Sequence, residues 1–357
     1  MYVETQCSTR EISVVHSSKS ILLLGGYGNA GRAIAMACAK SLNAHLIIAG
    51  PNKEKGLTFV NTLRHTFPNN RFNFVVVDIN CSTSLANACK GIDLVIVASS
   101  SARALPTIAM TAVQNGADYI DLWYSPIIAS KMEKLKKTVY PTQKRVITQS
   151  GLHPGLPAVL LRYLISRLDR TISAKVTSRS RTDWSLMHFA DSTQDELQEP
   201  FEHAIFSKGQ WRETPHQVNG VDFGPDDGTQ PACAIVFGEL RKLAIKLPNL
   251  EEMSFHLHSD HNQLVGPPYF SRMRAVVKGF QKGEIVERSA VVEAADGYTL
   301  TAVSTVAVVR QLLETQNRSG EIVEAALWVD PDYFMRFLSE NILSVKLCEQ
   351  CCHEEIR

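Results

Sequence analysis

No apolar stretch of the 357 residues approaches the roughly 18 that a membrane-spanning helix needs, and the opening M-Y-V-E-T-Q-C-S-T-R lacks the apolar core of a signal peptide. Charge of either sign is not in excess: 37 Lys and Arg against 36 Asp and Glu leave +1, which gives no field to attract nucleic acid or an anionic membrane. Internal repeats and low-complexity segments are missing. The eight cysteines have no closed metal-site spacing; Cys38, Cys81, Cys89 and Cys233 are scattered singly, as reduced thiols are. The tail C-E-Q-C-C-H, Cys348 to His353, has C-x-x-C spacing but no second ligand pair to close a zinc site, so 346–357 reads as a frayed polar tail. These absences predict a cytoplasmic protein with a small-molecule substrate and no metal, nucleic acid or membrane partner.

Apolar residues make up 45% of the chain, ample for a core, and the length predicts two domains. Residues 1–18 are polar and aperiodic and read as a disordered leader. The segment that follows, S-I-L-L-L-G-G-Y-G-N-A-G-R from Ser20 to Arg32, is a short apolar run ahead of Gly26, Gly28 and Gly31 in G-x-G-x-x-G spacing. The run suits a strand buried on both faces, and A-I-A-M-A-C-A-K after it suits a small-residue helix packed close to a sheet. In such a unit Gly26 makes the tight turn, Gly28 admits a pyrophosphate to the backbone, and Gly31 lets the helix approach, with the helix N-terminus facing the phosphates. Gly26, Tyr27, Gly28, Asn29, Ala30 and Gly31 are the candidate dinucleotide-binding residues.

The second strand, His45 to Ala49, ends in Gly50-Pro51-Asn52-Lys53. A site that selects NAD needs Asp or Glu here to accept from the ribose 2′-hydroxyl, and there is none. Pro51, Asn52 and Lys53, with Lys55 beyond, suit a 2′-phosphate, so NADP is the expected cofactor and NAD the alternative. Strand candidates at Phe72–Asp78, Ile92–Ala98, Ala117–Leu122 and Arg145–Gln149 alternate with helices at Ser84–Lys90 and Pro106–Gly116. This alternation predicts an α/β fold whose first domain, 19–150, is a Rossmann doubly wound parallel sheet. Ligands of such sheets bind at the carboxyl ends of the strands, where Asp78, Ile79, Ala98, Ser99, Ser100 and Asp121 fall.

Past Ser150 the alternation stops. G-L-H-P-G-L-P opens a helix at Leu156-Pro157, and period-2 strands follow at Ala174–Ser180, Met253–Leu257, Tyr269–Lys278 and Ile285–Ala294, the last two as an antiparallel hairpin. The expectation is an α+β substrate and dimerisation domain over 151–300, with C-terminal helices over 301–345, among them Leu300–Leu313 and Pro331–Asn341, returning to the first domain.

His153 sits at the domain junction, where it can hold a proton near neutral pH or serve as a hinge residue packing the helix behind it. Arg179, Arg181 and Asp183 share one face of a continuing strand. They suit a substrate carboxylate and amine, or else an exposed charged edge. The run H-L-H-S-D-H, His256 to His261, finds no further ligand by spacing and is read as substrate-lining or loop. Trp184 and Trp211 read as packing residues.

Four stretches, G-G-Y-G-N-A-G-R-A-I-A, A-G-P-N-K-E-K, A-V-Q-N-G-A-D-Y-I-D-L and G-L-H-P-G-L-P-A-V-L, together with the late L-T-A-V-S-T-V-A and V-D-P-D-Y-F, make the chain resemble the saccharopine dehydrogenase (saccharopine reductase-like) family of NAD(P)-dependent oxidoreductases. NADP-preferring members usually carry arginine after A-G, where this chain has Pro51. The resemblance implies hydride transfer at a carbon bonded to nitrogen in an amino-acid-like substrate, and the sheet-bearing second domain predicts a homodimer. Reduction of a C=C bond in a larger acyl substrate, and non-catalytic dinucleotide binding, are the alternatives.

Overall fold

The computed structural model describes residues 19–99, 102–123, 125–181, 201–259, 269–315, 319–342 and 344–351. The first half runs β1 (Lys19–Leu24), α1 (Asn29–Ser41), β2 (Ala44–Gly50), α2 (Lys53–Thr66), β3 (Arg71–Val76), α3 (Ser82–Cys89), β4 (Leu94–Val97), α4 (Leu105–Gln114), β5 (Asp118–Asp121), α5 (Pro126–Lys134), α6 (Lys136–Val139) and β6 (Val146–Thr148). Ile21, Leu22, Leu23 and Leu24 are all fully buried. Helices cover both faces of the sheet, so its central strands are apolar at every position and not at alternate ones. All pairings in this sheet are parallel. The order β3-β2-β1-β4-β5-β6 reverses direction between β1 and β4, and the crevice outside the carboxyl ends of those two strands is where such a sheet binds ligands.

The second half runs α7 (Leu156–Ile165), β7 (Arg170–Arg181), β8 (Ala204–Ser207), β9 (Gln210–Glu213), β10 (Val218–Asp222), β11 (Thr229–Ala234), α8 (Gly238–Ile245), β12 (Glu252–Ser259), β13 (Phe270–Gln281), β14 (Glu284–Ala294) and α9 (Gly297–Glu314). These strands form a mixed sheet in the order β10-β11-β12-β7-β13-β14. The expected hairpin is β13 and β14, turned through Lys282 and Gly283 at φ 52° and 87°, the left-handed pair that a two-residue hairpin needs.

Two late elements correct the sequence reading. β15 (Ile322–Glu324), three residues long, extends the first sheet alongside β6, within a stretch expected to be helical. It is too short to show a period. After α10 (Ala325–Trp328) and α11 (Pro331–Asn341), β16 (Ser344–Cys351) pairs with β14, so the chain expected to fray from residue 346 is a strand through Cys351. The hydrogen-bonding edge of β14, not an apolar pattern of its own, holds it there: Leu347 is 54% exposed.

The helices return to the first domain as expected. α9 packs along α1, and it is buried all round from Ala302 to Val309. One apolar cluster therefore runs from Ile21 and Ile34 in the first domain to Phe255, Met273 and Val306 in the second. At the junction, Glu239 of α8 is fully buried, and its Oε1 accepts the Gly155 N–H at 2.9 Å, pinning the turn that leads into α7. Burial, with a smaller contribution from the charge of Glu324, raises this carboxyl to about 8 against the hydrogen bond from Gly155. Folding thus favours the protonated acid, a stabilisation fully present below pH ~4.5 and lost as pH rises through about 8. Glu239→Gln keeps the acceptor and removes the titration. Its melting temperature is expected to equal that of the parent protein near pH 4.5 and to exceed it at pH 9, as followed by thermal melts across that range.

Candidate cofactor and active site

The turn after β1 is built by close backbone approach. Gly25 adopts φ +74°, and a Cβ there would lie 2.7 Å from the Ser99 backbone nitrogen of the neighbouring strand end. The Gly28 N–H donates to the Gly25 carbonyl at 3.0 Å, and α1 begins at the next residue. The tight turn thus belongs to Gly25 and not to Gly26, which lies under Leu23 and Ile48. In a G-G pair either glycine can turn, and the register of the helix decides. A Cβ on Gly31 would come within 2.1 Å of the Gly25 carbonyl oxygen, so α1 rests on the turn itself.

Gly28 caps α1, and no side chain occupies the cap; its outer side is open, with Gly25 O alone within 4 Å of an added Cβ. No acidic residue stands in the first turn. A pyrophosphate fits this cradle of N–H groups at the positive end of a helix. The Asn29 amide reaches across to the Tyr298 hydroxyl at 3.3 Å, which brings the start of α9 to the same edge.

Around the crevice, the Tyr27 ring lies over Gly50, and Asn52 caps α2 by accepting the Lys55 N–H at 2.9 Å. Pro51 and Lys53 are exposed beside it. Asp78 is exposed and accepts the Asn80 N–H at 2.9 Å, while Ile79 packs against the core on the α3–α4 side. Ala98 donates its N–H to Leu24 O at 2.9 Å, and the Ser99 carbonyl accepts the Trp123 indole N–H at 2.8 Å. Ala30 is the second residue of α1, and Ser100 lies outside the described residues. Trp123 closes the crevice over the β4 and β5 ends; the sequence reading missed it because no local pattern says which way an indole at a strand end turns.

Asp121 is a fastener and not a surface group. It is 1% exposed, and its Oδ1 accepts the backbone N–H groups of Trp123 at 3.2 Å and Gln149 at 3.1 Å. Burial outweighs those bonds and lifts the carboxyl to about 7. Gln149, held at φ +62°, leaves β6 here. A small cavity of about 30 Å³ lined by Asp121, Trp123, Gln149, Lys242 and Glu324 has room for one or two water molecules.

His153 does not carry a proton at neutral pH. Its Nε2 is 2.8 Å from Ser178 Oγ, its ring lies 5.2 Å from that of Phe255, and desolvation in these surroundings pushes it down to about 3. Nor does the structure bring it together with the arginines. Ser178 faces His153, so Arg179 and Arg181, of opposite parity on β7, face the other side of the sheet. There Arg179 and Arg272 both bond Asp227 at 2.7 Å, and Arg272 also holds Glu293. Arg181, at the end of β7, makes no ion pair among the described residues, and Asp183 lies outside them. That strand end is near the junction. Ser180 meets Ser271 at 3.0 Å, and a Cβ on Gly297 would touch both Ser271 and Leu152. His258 bonds Pro231 O at 2.7 Å, burial with a smaller push from Lys175 lowers His256, and no metal-ready cluster occurs among the described residues. Trp211 stacks edge-on to Phe206, and Trp184 is outside the described residues.

Residues 21–150 match the family described as "Saccharopine dehydrogenase NADP binding domain". Among solved structures, the chain is similar to an apo saccharopine dehydrogenase (L-Glu forming) from Saccharomyces cerevisiae, with a TM-score of 0.70 at 11% identity over 94% of this chain and 100% of that one. It is also similar to a meso-DAP dehydrogenase mutant from Clostridium tetani, with a TM-score of 0.49 at 14% identity over 88% of this chain and 95% of that one. Among curated proteins no sequence relative matches. No helix among the described residues is long and apolar enough to cross a membrane. Residues 21–150 therefore match that NADP binding domain, and the chain shares the fold of the yeast dehydrogenase over nearly its whole length.

Proposed function

We propose that the protein is an NADP(H)-dependent oxidoreductase that moves a hydride to or from a carbon bonded to nitrogen in an amino-acid-like substrate. The match of residues 21–150 to an NADP binding domain, on a turn whose geometry admits a pyrophosphate, carries the oxidoreductase part of this reading. The similarity to a saccharopine dehydrogenase along the whole chain supports the C–N chemistry. The bound nicotinamide supplies or accepts the hydride.

The chain's own residues bind, orient and exclude water. Gly28 and the first turn of α1 hold the pyrophosphate; Asn52 and Lys53 serve the adenosine end; Ser99 and Trp123 close the nicotinamide side. His153 is a positioning residue: neutral, it ties the junction turn to β7 through Ser178. Arg181 is the carboxylate anchor, a guanidinium suited to bidentate pairing at the strand end nearest the junction. A homodimer through the second domain completes the reading.

Calorimetric titration is expected to show NADPH binding at least tenfold tighter than NADH; binding of neither nucleotide overturns the proposal. In a screen of amino acids with NADP and of oxo acids plus amines with NADPH, the substrate that turns over is expected to lose at least tenfold in KM with Arg181→Ala, with kcat changed less. An unchanged KM removes Arg181 from the site and favours a substrate without a carboxylate. Sedimentation is expected to give a dimer, and a monomer at micromolar concentration contradicts that part.

A further inference from the structure

We infer that the hydroxyl of Tyr27 is the group that selects the phosphorylated adenosine ribose, taking the part of the arginine that the end of β2 lacks. This rests on the NADP reading above and says which side chain enforces it.

Gly50 ends β2 with no side chain, and the space is taken by Tyr27. A Cβ on Gly50 would lie 2.6 to 2.8 Å from Cε1, Oη and Cζ of that ring. The ring is further braced by Phe74 of β3, with centroids 6.3 Å apart. Its position is therefore fixed from two strands, at the strand end where a dinucleotide's adenosine ribose meets the protein. The Tyr27 hydroxyl accepts the Asn52 N–H at 2.8 Å. With that bond made, the O–H proton remains to be donated, and accepting one hydrogen bond strengthens the donation of the other. A phosphate dianion is a far better acceptor for it than a neutral ribose hydroxyl.

The surrounding charge agrees. Arg32 donates Nε–H to the Tyr27 carbonyl at 2.8 Å, and its guanidinium lies 4.5 Å over the ring of Phe59 in α2. Its terminal nitrogens have no partner among the described residues. Lys53 and Lys55 are exposed at the start of α2, with Glu54 the single acid between them and Asp78 exposed past the end of β3. Pro51, which supplies neither charge nor N–H, leaves the discrimination to the hydroxyl and to these cations.

Calorimetry of the full chain with NADPH, NADH and 2′,5′-ADP, on the parent protein and on Tyr27→Phe, tests this. Phenylalanine keeps the ring on Gly50 and Phe74 and removes only the donor. NADPH and 2′,5′-ADP are expected to bind about tenfold or more weakly, the worth of a charge-assisted hydrogen bond, with NADH within about twofold. Arg32→Gln is expected to weaken the same two ligands and to flatten the salt dependence of NADPH binding. Equal weakening of NADPH and NADH by Tyr27→Phe shows a packing role and overturns the inference, as does no change in either. A parent protein that binds NADH as tightly as NADPH overturns it too. Binding of neither nucleotide by the parent overturns the cofactor reading itself, a distinct outcome.

Discussion

Everything at the cofactor edge depends on one close contact, α1 resting on the Gly25 carbonyl through Gly31. A Cβ at residue 31 would have to fit 2.1 Å from that oxygen, so the contact exists only because no side chain is there. The helix can then begin immediately beyond the strand, with its capping residue open at the sheet's carboxyl edge. The same approach sends Tyr27 sideways over Gly50 and sets α1 where α9 can lie along it. Because α9 is buried on all sides over Ala302–Val309, its position is dictated as much by α1 as by the second sheet, and one contact of backbone on backbone thereby orders both domains.

The junction is held differently, by buried polar groups that must be satisfied. Asp121 takes two backbone N–H groups and its own carbonyl takes the Ser150 N–H at 2.8 Å; Ser150 O in turn accepts the Thr305 hydroxyl at 2.6 Å. Glu239 closes the Gly155 turn from the opposite side. Further along β5 and β6, Arg145 and Asp118 pair at 2.7 Å with side chains 6% and 14% exposed, and losing either partner of such a pair costs about 3–5 kcal/mol. These bonds are directional, whereas the apolar cluster that surrounds them is not. They fix the angle at which β6 hands the chain to α7, and with it the placement of His153 against Ser178 and of Leu152 against Gly297.

What was legible in the sequence was whatever a short window contains. Four apolar residues before a glycine turn, five further strands of the first sheet and an antiparallel hairpin of Tyr269–Lys278 with Ile285–Ala294 are local patterns, and each became the element expected, the hairpin with longer strands and a tighter turn, at Lys282-Gly283. The missing acid after β2 was equally local. The turn itself was misplaced by one residue because Gly25 and Gly26 are chemically the same, and the distinction comes from Ser99, more than 70 positions on. The sequence left His153 open between a titrating group and a packing hinge residue because its desolvating neighbours, Ser178 and Phe255, arrive from distant strands. Arg179 was grouped with Arg181 by parity, correctly, but its partner Asp227 stands in a turn with no pattern to mark it. β15 and β16 depend on edges offered by β6 and β14, so their own sequences say little.

The second sheet shows how charge is apportioned once those partners are known. Arg179 and Arg272 lie directly opposite each other on adjacent strands, an arrangement that repels unless something intervenes. Asp227 intervenes, nearly buried and bonded to both, and Glu293 takes the remaining edge of Arg272. Four charges of that face are thus spent on holding β7, β13, β14 and the turn before β11 together. Arg181, two residues further along the same face, has no such partner among the described residues, at the point where β7 ends opposite Phe270 of β13.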